Sequence, residues 1–239
     1  MNQVLDQDQS FSRELSREFF KNVYGYMFGA LAVSGIIAYL TGTEEFVDTY
    51  FMNIDAYGGR SMSPLIYVVM FAPIGLGLLI QMAYKRLSLG VLLVAFLAYA
   101  VLMGLMFGIV LMAYTTQSVA VTFFITAGAF GAMAVLGYTT NTDLTKMGSL
   151  LYMAFIGIFI ASIVNYFIGS EFIDYAISII GVFVFTGLTA YYMQKLKNVS
   201  QDTTLSGIDR NKIALVGGLM LYIMFVNLFM VLLRLLGRD

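Results

Sequence analysis

The chain alternates long uncharged runs with short clusters of charged residues. A charged side chain at the centre of a membrane helix costs roughly 3 kcal/mol, so uncharged runs mark candidate spans. Five runs hold the roughly 20 residues that cross a hydrocarbon core: 22–43, 61–84, 147–170, 175–194 and 213–233.

A sixth uncharged run, from Leu87 to Thr142, is too long for one crossing. As a straight helix it would measure about 84 Å, against a core of about 30 Å. Its one polar cluster, residues 115–118, predicts a turn between spans at 87–114 and 119–138. We therefore expect an all-α integral membrane protein with seven transmembrane helices, as one membrane domain over residues 1–239.

Lys and Arg are distributed unevenly between the two sides of such a bundle. Ten of the 13 fall on the side of the N-terminus. Because Lys and Arg are in excess in cytoplasmic loops, we predict a cytoplasmic N-terminus and an external C-terminus. The first span follows a polar tail, residues 1–21, and precedes no A-x-A-like cleavage site, so we expect it to stay as an anchor.

The tail itself has a helical apolar stripe, formed by Phe11, Leu15 and Phe19. An interfacial helix on the inner leaflet is the interpretation we favour. The alternative is a segment that docks a cytoplasmic or membrane partner through these side chains.

Composition confirms the lipid environment and excludes several functions. Apolar residues make up 60% of the 239 and charged residues 11%, against about 45–50% and 25% in soluble domains. The formal charge of -1 offers no basic surface for nucleic acid.

With no Cys and no His, the chain lacks the usual nucleophile pairs and zinc or haem ligands. The predicted spans hold no Asp for an aspartyl protease, and the last holds no Lys for retinal. We expect neither an enzyme nor a cofactor.

Small residues recur in the spans, as in helices that approach closely in lipid. Gly25 with Gly29, Gly104 with Gly108, and the stripe Ala127, Gly128, Gly131 and Ala134 predict packing inside the bundle rather than a dimer face. Pro73, in the second span, is a candidate hinge, although a static kink is the interpretation we favour.

A few polar side chains interrupt the apolar spans: Asn165, Thr189, Gln194 and Asn227. Hydrogen bonds between helices are the simpler explanation. The alternative is that these residues line a path for water or ions.

Three stretches together resemble the Bax inhibitor-1 family, also called the transmembrane Bax-inhibitor-motif family, and its bacterial branch in particular. The resemblance runs over roughly residues 20–237. It rests on Thr122–Met133 with Gly137–Thr140 and Asp143–Leu144, on Gly181–Tyr191 with Gln194–Lys195, and on Leu221–Tyr222 with Asn227–Phe229 and Leu232–Gly237.

The resemblance implies six helices around a central seventh and a pH-sensitive calcium leak. In the family, an aspartate in a motif like A-Y-D-T-Q-K pairs with another in L-Y-L-D-F-I-N-L-F. Here Tyr192 and Met224 stand at those positions. A phenol and a thioether replace neither the shared proton nor the hard oxygen ligands of a carboxylate pair.

We therefore expect an inner (plasma) membrane protein with a role in calcium or other ion homeostasis or in stress, and with acid-gated calcium conduction reduced. The resemblance leaves an alternative open, an interaction protein that modulates a membrane-bound AAA protease or another membrane partner. Its expected partners are the lipid bilayer, calcium or other cations, and such a protease.

Overall fold

The computed structural model describes residues 2–54, 59–202 and 204–237. Its elements, in chain order, are α1 (Asn2–Thr41), α2 (Glu44–Tyr50), β1 (Met52–Ile54), β2 (Arg60–Met62), α3 (Pro64–Ala83), α4 (Leu89–Leu111), α5 (Thr116–Thr139), α6 (Thr145–Ile168), α7 (Glu171–Ser200) and α8 (Gly207–Leu236).

In this part of the chain, seven helices are long and apolar enough to cross a membrane, which confirms the predicted number of spans. The boundaries of α3 to α6 lie within three residues of those predicted. The other three helices are longer than the uncharged runs. Both α7 and α8 continue past Lys195, Lys197 and Lys212 on the side of the N-terminus, because a helix does not need to end where the hydrocarbon ends.

Several helices begin at a hydroxyl residue that satisfies a free backbone N–H group of the first turn. The side chains of Ser88, Thr115 and Ser170 accept hydrogen bonds from the third residue that follows each. Helix α6 ends at Gly169, whose φ of +70° is the left-handed conformation that glycine adopts without strain.

The loop between the first two spans contains structure that the sequence did not predict. Helix α2 leads into an antiparallel hairpin in which Met52 pairs with Met62. Val47 and Phe51 pack on Ile66 and Val69 of α3, beside partly buried residues of α4. The search for uncharged runs did not predict α2 or the hairpin, because the loop is short and its acidic residues indicate only that it is exposed to water.

The described residues form two compact units. Unit 1 comprises residues 2–16, 115–202 and 223–237, and unit 2 comprises residues 17–54, 59–114 and 204–222. Helix α8 is continuous and contributes one half to each unit. It is the most buried of the seven, with 72% of its most apolar window buried against 39% or less in the others, as expected for a central helix.

Small residues bring helices together at some of the predicted positions and not at others. A Cβ on Gly104 would lie 2.8 Å from the carbonyl oxygen of Ser34, so α1 and α4 are in close contact there, as predicted. A Cβ on Gly25 or Gly29 would meet no atom of the described residues within 4 Å. Packing inside the bundle was therefore the wrong prediction for that pair, which lies on the exposed face of α1.

Candidate functional site

Both positions that match the family aspartates are buried in unit 1. Tyr192 lies on α7 and is 7% exposed, and Met224 lies on α8 and is 3% exposed. The ammonium group of Lys195 lies 5.8 Å from the centre of the Tyr192 ring, at the end of the helix that faces the predicted cytoplasmic side. A buried phenol and a buried thioether offer no carboxylate oxygen to a divalent ion.

Metal-binding residues are also sparse elsewhere. Among the described residues, no three or more His, Cys, Asp or Glu side chains are close enough to hold a metal ion. Asp174 on α7 instead pairs with Arg234 on α8 across 3.6 Å, with both side chains partly exposed.

Asp143 is the acidic residue of the turn between α5 and α6, outside the membrane-spanning helices. Hydrogen bonds from the side chain and the backbone N–H of Thr145, with a smaller contribution from the charge of Lys146, hold the pKa of Asp143 below its usual range. Its Oδ1 atom accepts from the backbone N–H of Thr145 at 2.9 Å, which satisfies one of the free N–H groups at the start of α6.

Thr189 and Asn227, for which hydrogen bonds between helices were the simpler prediction, form hydrogen bonds within their own helices. Thr189, fully buried, donates to the carbonyl of Phe185 at 2.7 Å, and Asn227 donates to that of Ile223 at 2.8 Å. Both acceptors lie one turn earlier in the same helix. Hydrogen bonds between helices were therefore the wrong prediction for these two residues, and their lining of a path for water or ions stays a prediction.

Two amide side chains shape turns between helices. Asn165 donates to the carbonyl of Ser170 and accepts from its N–H, each at 3.1 Å, which closes the turn after α6. Gln194 accepts from the N–H of Leu144 at 2.9 Å and donates to the carbonyl of Thr142 at 2.7 Å. Both residues therefore hold a turn between helices, and their lining of a path for water or ions stays a prediction.

Pro73 is buried inside α3, which is continuous from Pro64 to Ala83. The structure shows one arrangement of this helix, so the hinge stays a prediction.

The tail is helical, as its periodicity predicted, and continuous with the first span. Phe19 is 1% exposed and Leu15 is half-buried, while the side chain of Phe11 lies outside the described residues. The chain itself covers Phe19, which is therefore not free to dock a partner. Nearby, Ser16 donates to the carbonyl of Ser200 at 3.3 Å and accepts from its hydroxyl at 3.1 Å, joining the tail to the end of α7.

Tyr222 is one of the buried hydroxyl residues of unit 2 and belongs to a stretch that carries the family resemblance, whereas Ser34 and Tyr99, two others, were not singled out from the sequence. Ser34 on α1 is 2% exposed, Tyr99 on α4 is 6% exposed and Tyr222 on α8 is fully buried. The sequence signal that could have identified the two tyrosines is a phenol within an apolar span, where Phe would fit equally well.

Comparisons with known proteins agree with this architecture. The family model described as "Inhibitor of apoptosis-promoting Bax1" matches residues 16–239. The inner membrane protein YbhL of Escherichia coli K12 is 37% identical over 222 residues, which are 92% of this chain and 91% of that protein. An uncharacterized protein of Caulobacter vibrioides is 40% identical over 93% of this chain and 89% of its own length, and one of Borreliella burgdorferi is 39% identical over 94% and 93%. A match over nearly the whole chain, on a seven-span helical protein, shows that the chain belongs to the Bax inhibitor-1 family.

Proposed function

We propose that this multi-pass protein of the Bax inhibitor-1 family works in the bacterial inner membrane, in ion homeostasis or the response to stress, with acid-gated calcium conduction reduced. The location is supported by the similarity to YbhL, which is named an inner membrane protein. The absence of His and Cys from the sequence supports a role other than catalysis.

The observation that carries the proposal is the burial of Tyr192 and Met224 where the family has its aspartates. Two carboxylates that share a proton titrate at accessible pH and bind a hard cation. A phenol titrates near 10 when unperturbed, and a thioether is a soft ligand. Replacing both acids together also avoids leaving one buried charge unpaired, which would cost about 3–5 kcal/mol.

Calcium flux into dye-loaded liposomes tests the proposal, with the purified protein compared at acidic and neutral pH against empty liposomes. We expect the native protein to give flux close to that of empty liposomes at both pH values. The double variant Tyr192→Asp/Met224→Asp should leak calcium in a pH-dependent manner, because it restores the shared proton.

The matched control is Tyr192→Asn/Met224→Asn, which has side chains of the same size and polarity that do not titrate. It should show no pH response, and helical circular dichroism verifies that each variant is folded. Strong calcium flux through the native protein with an acidic-to-neutral response would contradict the proposal.

The second candidate function is interaction with a membrane partner such as a membrane-bound AAA protease. The helical tail supports it, because α1 begins at Asn2 and carries the exposed charges of Glu14, Arg17 and Glu18. Since Ser16 and Phe19 are packed within the chain, a docking surface would consist of residues before them and of this charged face.

Deleting residues 2–12 tests this function while leaving Ser16 and Phe19 in place. We expect the truncated protein to lose chemical crosslinking to the protease and to keep the flux of the full chain. A control with Lys85→Gln/Arg86→Gln, exposed residues of the same predicted side, should crosslink normally. Undiminished crosslinking after the deletion would contradict the hypothesis that the tail docks the protease.

A further inference from the structure

The short helix α2 is amphipathic. At helical spacing, its apolar residues fall on one side of the axis and its polar residues on the other. The apolar side consists of Phe46, Val47, Tyr50 and the C-cap Phe51, and the polar side of Glu44, Glu45, Asp48 and Thr49. Protein covers only part of the apolar side, because Val47 and Phe51 are buried whereas Tyr50 is 53% exposed.

The buried residues of α2 show how deep this helix lies. Val47 and Phe51 pack on Ile66 and Val69 of α3. These two residues lie about 3 and 8 Å along the axis of α3 from its first residue. The 20 residues of α3 measure about 30 Å, which is the thickness of the hydrocarbon core, so its first two turns lie within the outer part of that core. Helix α2 therefore lies beside the ends of the spans and not above them.

Two hydrogen bonds hold the end of α2 at this level. The backbone N–H of Ser63 donates to the carbonyl of Phe51 at 2.9 Å, and the Ser63 hydroxyl donates to the carbonyl of Tyr50 at 3.0 Å. Ser63 directly precedes α3 and is its N-cap residue. Tyr50 is therefore fixed next to the residue at which the second span begins.

The part of the apolar side that protein leaves uncovered is aromatic. The ring centroids of Phe46 and Tyr50 lie 4.7 Å apart, with 41° between the ring planes. Leu65, in the first turn of α3, is likewise 46% exposed, so the exposed apolar surface continues from α2 onto a spanning helix. Aromatic rings are enriched where headgroups meet acyl chains, because the ring is apolar and the Tyr hydroxyl can hydrogen-bond.

We infer that α2 is an interfacial helix whose Phe46–Tyr50 pair binds phospholipid, in the leaflet on the side opposite the N-terminal tail. The two rings contact the upper acyl chains, the Tyr50 hydroxyl reaches the headgroups, and the exposed carboxylates of Glu44 and Glu45 face water. The inference is independent of the proposed function, because α2 belongs to unit 2 whereas Tyr192 and Met224 belong to unit 1.

Tryptophan fluorescence tests the inference, because the sequence contains no Trp and a single introduced Trp is then the only indole. The probe is Tyr50→Trp in the full chain, in phosphatidylcholine nanodiscs, which leave both membrane faces open to solutes. Leu65→Trp is the lipid-exposed reference and Glu45→Trp, on the polar side of α2, is the water-exposed reference. One quencher is phosphatidylcholine brominated in the upper acyl chain, and the other is iodide in the buffer.

We expect brominated lipid to quench Tyr50→Trp several-fold more than Glu45→Trp, and about as much as Leu65→Trp. Iodide should give the reverse order, with Glu45→Trp quenched several-fold more than Tyr50→Trp. Helical circular dichroism verifies that each variant is folded. Phe46→Trp is a second probe of the same surface and should respond as Tyr50→Trp does.

Two results would overturn the inference. If iodide quenched Tyr50→Trp as strongly as Glu45→Trp, and brominated lipid quenched neither, the aromatic pair would lie in water. If neither quencher acted on Tyr50→Trp while both references responded, protein and not lipid would cover this side of α2.

Discussion

Single polar side chains within the spans form hydrogen bonds to the chain's own backbone. Thr126 and Thr189 donate to the carbonyl four residues earlier, at 2.7 Å in each case. Gln194 differs because its partners, Leu144 and Thr142, are 50 and 52 residues away. A side chain that both donates and accepts in this way fixes the α5–α6 turn against α7.

Gln194→Leu should lower the stability of the protein by about 1–3 kcal/mol. The substitution removes both bonds and leaves the backbone N–H of Leu144, a buried residue, without its partner. The thermal midpoint of the purified protein, followed by circular dichroism, measures the effect.

The control for this variant is Gln81→Leu, at an exposed position near the end of α3. It changes the same side chain without removing a contact between elements and should leave the midpoint unchanged. Equal midpoints for the two variants would show that the Gln194 bonds contribute nothing to stability.

The sequence alone identified the polar residues of the spans but not their hydrogen-bond partners. Asn165, Thr189, Gln194 and Asn227 were identified from the sequence because polar residues are rare in lipid-facing runs. Their partners were not identifiable, since a hydrogen bond over 50 residues depends on how helices are placed. For the same reason the sequence alone did not reveal that the chain covers Phe19.

At the scale of helices, close approach is concentrated at particular glycines. A Cβ on Gly137 of α5 would contact the carbonyl oxygen of Ala190 on α7 and would lie 2.7 Å from its carbonyl carbon. A Cβ on Gly131, two turns earlier in α5, would meet no atom of the described residues within 4 Å. Both glycines lie in apolar stretches of the same helix, but only Gly137 lies against the backbone of a neighbouring helix.

Gly137→Ala should therefore destabilise the protein by about 1–3 kcal/mol or more, because the contact is with backbone, which cannot rotate away. Gly131→Ala should be neutral or slightly stabilising, since alanine is the better helix former. Size-exclusion profiles after heating compare the two variants with the native protein. A Gly137→Ala protein as heat-resistant as Gly131→Ala would contradict the close approach of α5 and α7.

The number of spans and the family were both predicted correctly from the sequence. A membrane crossing requires about 20 consecutive apolar residues with few charges among them. Each span can therefore be recognised from its own stretch of sequence. Seven long apolar helices in the described residues and a family match over residues 16–239 agree with that prediction. The cytoplasmic position of the N-terminus stays a prediction from the distribution of Lys and Arg.

By itself, the sequence determined where helices cross, approximately where they begin and end, and that two acids of the family are replaced by Tyr192 and Met224. Only the tertiary structure decided that Gly104 packs closely while Gly25 is exposed, and that Tyr222 is fully buried against the rings of Phe96 and Tyr99. The physical reason is that transfer into lipid depends on each segment's own composition. Packing in lipid depends on which faces of different helices meet, and apolar residues on every face leave no amphipathic pattern from which to read that choice.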